Sequence, residues 1–144
     1  DFKGKRIALT ICEDIWNLGD NPLYRICPMD KLMPQQPDVM INISASPFDY
    51  THDEDRKATI KSNVIKYKIP LFYCNAVGSQ TEIIFDGASL VFDKDANLCC
   101  QFSQFREELK EITLNDDGTI DSPVIEPAEA VPGQLLEPYI SIRN

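Results

Sequence analysis

Histidine occurs once in this chain of 144 residues, at position 52, and the cysteines at 12, 27, 74, 99 and 100 form no Cys-x-x-Cys pair. A structural zinc centre takes its ligands from clustered cysteines and histidines, so the composition speaks against a metal site. An odd cysteine count without repeated spacing does not read as a disulfide framework and fits a reducing, cytoplasmic setting. Basic residues are outnumbered, 14 Lys and Arg against 23 Asp and Glu, for a net charge of −9. Nucleic acid calls for a basic face, and an anionic membrane surface attracts one, so neither partner is expected. No apolar run approaches the ~20 residues of a membrane span. The opening Asp-Phe-Lys-Gly-Lys-Arg is not the pattern of a signal peptide. Internal repeats and low-complexity tracts are absent.

What is present suits one folded unit: the chain is 43% hydrophobic, and about 150 residues can bury roughly two-thirds of their unfolded surface. Arg6–Ile11 is a short apolar run, expected as a strand buried on both faces. Residues 17–36 are broken by Pro22, Pro28 and Pro34 and predict short helical turns at most. Val39–Ile43 reads as a second strand. Asp53–Lys68 predicts a helix, with Thr51 or Asp53 as cap, acidic residues at its start and Lys66 and Lys68 at its end. Ile60, Val64 and Tyr67 share one face, widened by Ile65 and Ile69. Leu71–Val77 follows Pro70 as a third strand, making a β-α-β unit with a parallel connection. Three further runs, 83–92, 98–105 and 109–114, predict an antiparallel meander on the edge of the parallel part. The fold class is therefore α/β with a mixed sheet, over residues 1–114. Residues 115–144 carry six acidic residues against Arg143, with Pro123, Pro127, Pro132 and Pro138, and predict an extended linker.

Cys12 stands where the first strand gives way to Glu13, Asp14, Ile15 and Trp16. A thiol there is held rigidly yet faces the crevice beyond the carboxyl ends of parallel strands, where open α/β sheets bind ligands. Ser44–Ser46 lies at the same end of the second strand. The backbone N–H of Glu13 is placed to hold the oxyanion formed when a thiolate attacks an amide. Free cysteine is only a few per cent thiolate at neutral pH, and the carboxylates of Glu13 and Asp14 repel that charge, so activation must come from elsewhere. His52, on the loop after the second strand, is one candidate base. Cys74 reads as an inert core residue, Cys99 and Cys100 point to opposite faces of one strand, and Cys27 beside Pro28 is free to be exposed but has nothing nearby to activate it.

The segment "IALTICEDIW" at Ile7–Trp16 resembles the nucleophile segment of the nitrilase, or carbon–nitrogen hydrolase, superfamily. "VMINISASPF", a helix carrying Arg56, and "IPLFYCNAVGSQTEIIFDGASLVFD" follow in the order that family shows, so the match spans residues 5–114. The combination is most similar to the glutaminase domains of glutamine-dependent NAD synthetases.

The resemblance implies part of an α-β-β-α sandwich. It also implies an amidase that attacks the side-chain amide of glutamine, forms a γ-glutamyl thioester and releases ammonia, which a second domain uses to amidate nicotinic acid adenine dinucleotide. Cys12 matches the nucleophile. Glu13 matches the residue whose backbone serves the oxyanion and whose side chain contacts the α-amino group, and Ser46 matches the substrate-loop serine. His52 falls where relatives carry a lysine or arginine. Ala76 and Ser79 depart from the family's Asn-Gln-Val-Gly-Gly. The family's triad is Glu, Lys and Cys, with the first two upstream; only eleven residues precede Cys12 here. The expectation is accordingly a second half-domain, inactive alone, with an uncovered apolar face and a tendency to associate. Its expected partners are glutamine, the first half and the synthetase domain of the same chain, and further copies in a homo-oligomer. No cofactor is expected on these residues; ATP and magnesium are expected in the synthetase domain, whose Ser-Gly-Gly-x-Asp-Ser loop is absent. Two rival readings are another carbon–nitrogen hydrolase and a non-catalytic interaction module with a structural cysteine.

Overall fold

The computed structural model describes residues 1–18, 24–50 and 52–121, without the side chain of His52. Its centre is a five-stranded sheet of β1 (Ile7–Ile11), β2 (Val39–Ser44), β3 (Leu71–Asn75), β6 (Leu90–Phe92) and β7 (Leu98–Gln101), in that spatial order. β1, β2 and β3 are parallel, and β6 and β7 continue the sheet antiparallel. Between β3 and β6 the chain makes a separate hairpin, β4 (Val77–Gln80) with β5 (Ile83–Asp86), and a last hairpin pairs β8 (Thr113–Leu114) with β9 (Ile120–Asp121). The α-helices among the described residues are α1 (Pro28–Leu32) and α2 (His52–Tyr67).

Strand residues alternate between faces, and here the alternation separates two environments. Ala8, Met40, Leu71 and Phe92 form one row across the sheet, and Thr10, Asn42, Tyr73 and Leu90 the next. All eight are buried, and the apolar ones pack with Met29 of α1 and Ile60, Val64 and Tyr67 of α2. The helix stripe read from sequence is thus the packed stripe, except that Ile65 is half exposed. Lys68 takes a left-handed φ of 59° and Pro70 follows, which ends α2 and turns the chain into β3.

The other face differs from expectation. β1 is not buried on both sides: Leu9 is 56% and Ile11 65% exposed, and Ile43 beside them is 51% exposed. Cys74, expected in the core, is exposed on the same face, because Leu71, Tyr73 and Asn75 take the inward positions of β3. Cys27 is instead buried, its sulfur 3.1 Å from the hydroxyl of Tyr67.

The expected meander is also more divided. Residues 83–92 form two strands, split at Gly87, whose φ is 70° and which pairs with Gln104. Of residues 109–114 only Thr113–Leu114 is strand. It pairs across a turn whose Asn115 and Thr119 are hydrogen bonded, so residues 115–121 are hairpin; residues 122–144 of the expected linker lie outside the described residues.

Candidate functional site

Polar residues gather at the carboxyl end of the packed face. Cys12 follows β1 directly and opens a 3₁₀ turn, Cys12–Ile15. Its φ is +46°, a left-handed conformation that L-residues avoid. Such a residue persists only where its surroundings over-determine it, and these positions cluster at functional sites.

The surroundings of Cys12 meet that condition. The Asp14 carboxylate turns back to accept from Ile11 N at 2.8 Å, so it serves the backbone of the turn. Asn42 Nδ2 donates to the Cys12 carbonyl at 3.4 Å and to Thr10 Oγ1 at 3.0 Å, and its Oδ1 accepts from Ser44 Oγ at 2.7 Å. From α2, Asn63 Nδ2 donates to the Ile15 carbonyl at 2.8 Å. Ile15 itself is 1% exposed in the core. The turn is therefore fixed at its start, at Cys12 and at its end by three side chains from three elements.

A second network holds the neighbouring loop. Ser46, 6% exposed, donates its backbone N–H to Asn75 Oδ1 at 2.9 Å. Asn75 Nδ2 in turn donates to the Gly87 carbonyl at 2.9 Å and lies 3.4 Å from Asp86 Oδ1. Asp86 receives both guanidinium nitrogens of Arg56, at 2.9 and 3.0 Å, with both side chains 1% exposed. A bidentate Arg–carboxylate pair is directional as well as charged. It sets the position of Asn75 and, through it, the backbone of Ser46.

Tyr73 joins the two networks. Its hydroxyl is buried beside Ser44 and Ser46, within electrostatic reach of Cys12 and Arg56, and makes no hydrogen bond of good geometry. Burial, outweighing its polar neighbours, pushes the Tyr73 hydroxyl pKa up. Cys12 and Ser46, picked from sequence on different strands, thus share one corner of the sheet. Glu13 lies on the exposed side of the turn, where the Tyr24 hydroxyl donates to its carboxylate. His52 begins α2, but its side chain lies outside the described residues. Among the described residues, no base hydrogen-bonds the Cys12 thiol, and no group of three His, Cys, Asp or Glu side chains is arranged to hold a metal ion.

No sequence motif marks Asn42, Asn63, Asn75 or Tyr24 as functional, Asp86 enters only within the segment that carries the resemblance, and Arg56 only as a landmark of the helix. Buried Asn and Arg in an apolar pattern are the available signal, since such groups require partners.

The fold has counterparts among solved structures. The model superposes on a glutamine-dependent NAD⁺ synthetase from Acinetobacter baumannii, solved with ADP, with a TM-score of 0.70 and 25% identity over 88% of this chain and 23% of that one. It superposes on a carbon–nitrogen hydrolase from Helicobacter pylori with a TM-score of 0.59 and 20% identity, over 73% of this chain and 39% of that one. The fold is that of the carbon–nitrogen hydrolases. In this carbon–nitrogen hydrolase fold the described residues supply one five-stranded mixed sheet, two two-stranded hairpins and a layer of helices on one face of the large sheet. In sequence, the glutamine-dependent NAD(+) synthetase of Synechocystis sp. is 31% identical over 111 residues, 75% of this chain. The chain spans about a fifth of that relative's length, 20%. Its homologues are glutamine-dependent NAD synthetases. No family model matches the chain. No helix among the described residues is long and apolar enough to cross a membrane.

Proposed function

We propose that the chain is the cysteine-bearing half of a glutaminase domain in a glutamine-dependent NAD synthetase. The observation that carries this reading is Cys12, held at a left-handed φ beyond the carboxyl end of β1 beside the anchored Ser46 loop. In this reading the Cys12 thiolate attacks the side-chain carbonyl carbon of glutamine. The N–H of Glu13, at the start of a turn where backbone donors lack partners within the turn, meets the developing oxyanion. The C–N bond then breaks, the nitrogen takes a proton and leaves as ammonia, and a γ-glutamyl thioester remains on Cys12. Water adds to the thioester carbonyl, the C–S bond breaks, and glutamate departs with the thiol regenerated.

The remaining roles are also proposals. Glu13 supplies negative charge for the α-ammonium group, Ser46 lines the substrate loop, and His52 is assigned to the α-carboxylate. The thiol's base and a cation for the thiolate come from a glutamate and a lysine of the missing half, in keeping with a Cys12 that no described base contacts. The same half covers the open face at Leu9, Ile11 and Ile43. Residues 1–114 form the catalytic part and 115–144 lead toward the synthetase domain. ATP and magnesium act in that domain, and the released ammonia amidates nicotinic acid adenine dinucleotide there. The enzyme works in the cytoplasm as a homo-oligomer.

Cys12→Ser in the intact protein tests this reading. Glutamine-supported NAD formation is expected to fall at least about a thousandfold, while ammonia-supported formation stays within about twofold of wild type. Equal loss with both nitrogen sources would assign Cys12 a structural role, and no loss with either would remove it from the chemistry.

A further inference from the structure

Glu13 is adjacent to the nucleophile, yet an exposed glutamate carries three rotatable bonds and scatters its carboxylate over many positions. Ordering such a side chain costs free energy whenever a ligand has to do it. In this protein the ordering is already done. The Tyr24 hydroxyl donates to Glu13 Oε2, and tyrosine has only two side-chain torsions to fix.

Tyr24 is itself held by the backbone. Asn17 Oδ1 accepts from Tyr24 N at 2.9 Å, and Asn17 Nδ2 donates to the carbonyls of Tyr24 at 2.8 Å and Ile26 at 3.2 Å. Asn17 is 7% exposed, so this amide is a buried clamp with both ends engaged. It follows the Cys12 turn directly, which Trp16 N closes on the Glu13 carbonyl at 2.9 Å. The path from Glu13 through the turn to Asn17, on to Tyr24 and back to Glu13 is a closed ring of contacts. Tyr24 is half exposed and takes no part in the core cluster, so its hydroxyl rather than its packing is the contribution. The adjacent carboxylate raises the Tyr24 pKa, so the phenol remains a donor at neutral pH.

We propose that Tyr24 is a positioning residue that presents the Glu13 carboxylate to the α-ammonium group of an amino-acid amide bound at Cys12. The inference rests on the glutaminase reading above. A carboxylate has lone pairs for several donors, so the bond from Tyr24 leaves room for an ammonium. The consequence is selectivity: Tyr24 favours amides that carry an α-ammonium group over amides that lack one.

The test uses the intact parent enzyme with Tyr24→Phe and two probes, glutamine and its des-amino analogue glutaramate. KM for glutamine is expected to rise roughly three- to tenfold, the size of one hydrogen bond of ordinary strength lost at an exposed site, with kcat within about twofold. kcat/KM for glutaramate is expected to stay unchanged, as is ammonia-supported synthesis. Unchanged glutamine kinetics, or equal losses on both amides, would overturn the positioning role while leaving the glutaminase reading intact. A wild-type enzyme that hydrolyses neither amide would overturn the glutaminase reading, and the inference with it.

Discussion

Over β1–β3 the two faces of the five-stranded sheet are built from alternate residues of the same strands and have opposite characters. Met40 and Asn42 are fully buried on one face, whereas Ile43 on the other is half exposed. The packed face is apolar where β1–β3 begin and polar where they end, with Thr10, Asn42, Ser44 and Asn75 gathered around the Cys12 turn. The open face carries Leu9, Ile11, Ile43 and Cys74 and no comparable network. Over β1–β3 one face therefore makes a site and the other presents an apolar surface, whereas over β6 and β7 the second face is buried too, with Val91 3% and Cys100 1% exposed.

Substitutions on each face can break or sharpen that contrast. The largest effect is expected on the packed side at Arg56→Ala, which strands the buried Asp86 carboxylate and releases Asn75; breaking such a pair costs about 3–5 kcal/mol. Denaturant unfolding measures it, and a loss under about 1 kcal/mol would place the pair at an effectively solvated site. Met40→Ala removes a fully buried side chain from the same face and should cost about 2–5 kcal/mol in that assay.

A smaller effect concerns Asp30, where hydrogen bonding from Lys66 and Tyr67 outweighs burial and holds the carboxyl pKa below its ordinary 3.8. A carboxyl depressed in the folded state stabilises above the unfolded value and loses that contribution as pH falls through the folded one. Asp30→Asn should therefore flatten the acid limb of the stability curve without altering its shape above about pH 5. The side chain is about half exposed, so the change at neutral pH should stay within about 1 kcal/mol.

The smallest effect is expected at Ile43→Ala on the open face, within about 0.5 kcal/mol for this chain. In the intact protein, where the proposed first half of the domain covers this face, the same substitution should cost about 2–5 kcal/mol. Equal small costs in both would contradict that cover.

Much of this was legible from sequence where a period or a breaker carried the signal. The apolar spacing of Ile60, Val64 and Tyr67 and the stop at Pro70 gave α2 and its packed face, and the runs around β1–β3 gave the parallel core. The placement of Cys12 and Ser46 at one end followed from strand direction alone. The openness of Leu9 and Ile11 did not, because an apolar run has the same pattern whether or not anything lies over it. Nor did the hairpin of β4 and β5, where Val77–Gln80 is at most partly buried and the divisions are short, Ala76 on one side and residues 87–89 on the other. The side-chain bonds of Asn42, Asn63 and Asn75 were hidden for a different reason: each joins residues from separate elements, and no local pattern encodes such a partner.

The proposed glutamine hydrolysis depends on Cys12 as the nucleophile, and one labelling experiment reaches that role directly. The intact protein is treated with a glutamine-mimicking diazo-ketone, and the adduct is mapped by peptide mass spectrometry with and without excess glutamine. The prediction is a single adduct on Cys12, suppressed by glutamine, with Cys27, Cys74, Cys99 and Cys100 unmodified. An enzyme that turns over glutamine while Cys12 remains unlabelled, or that carries the adduct on another residue, would contradict it.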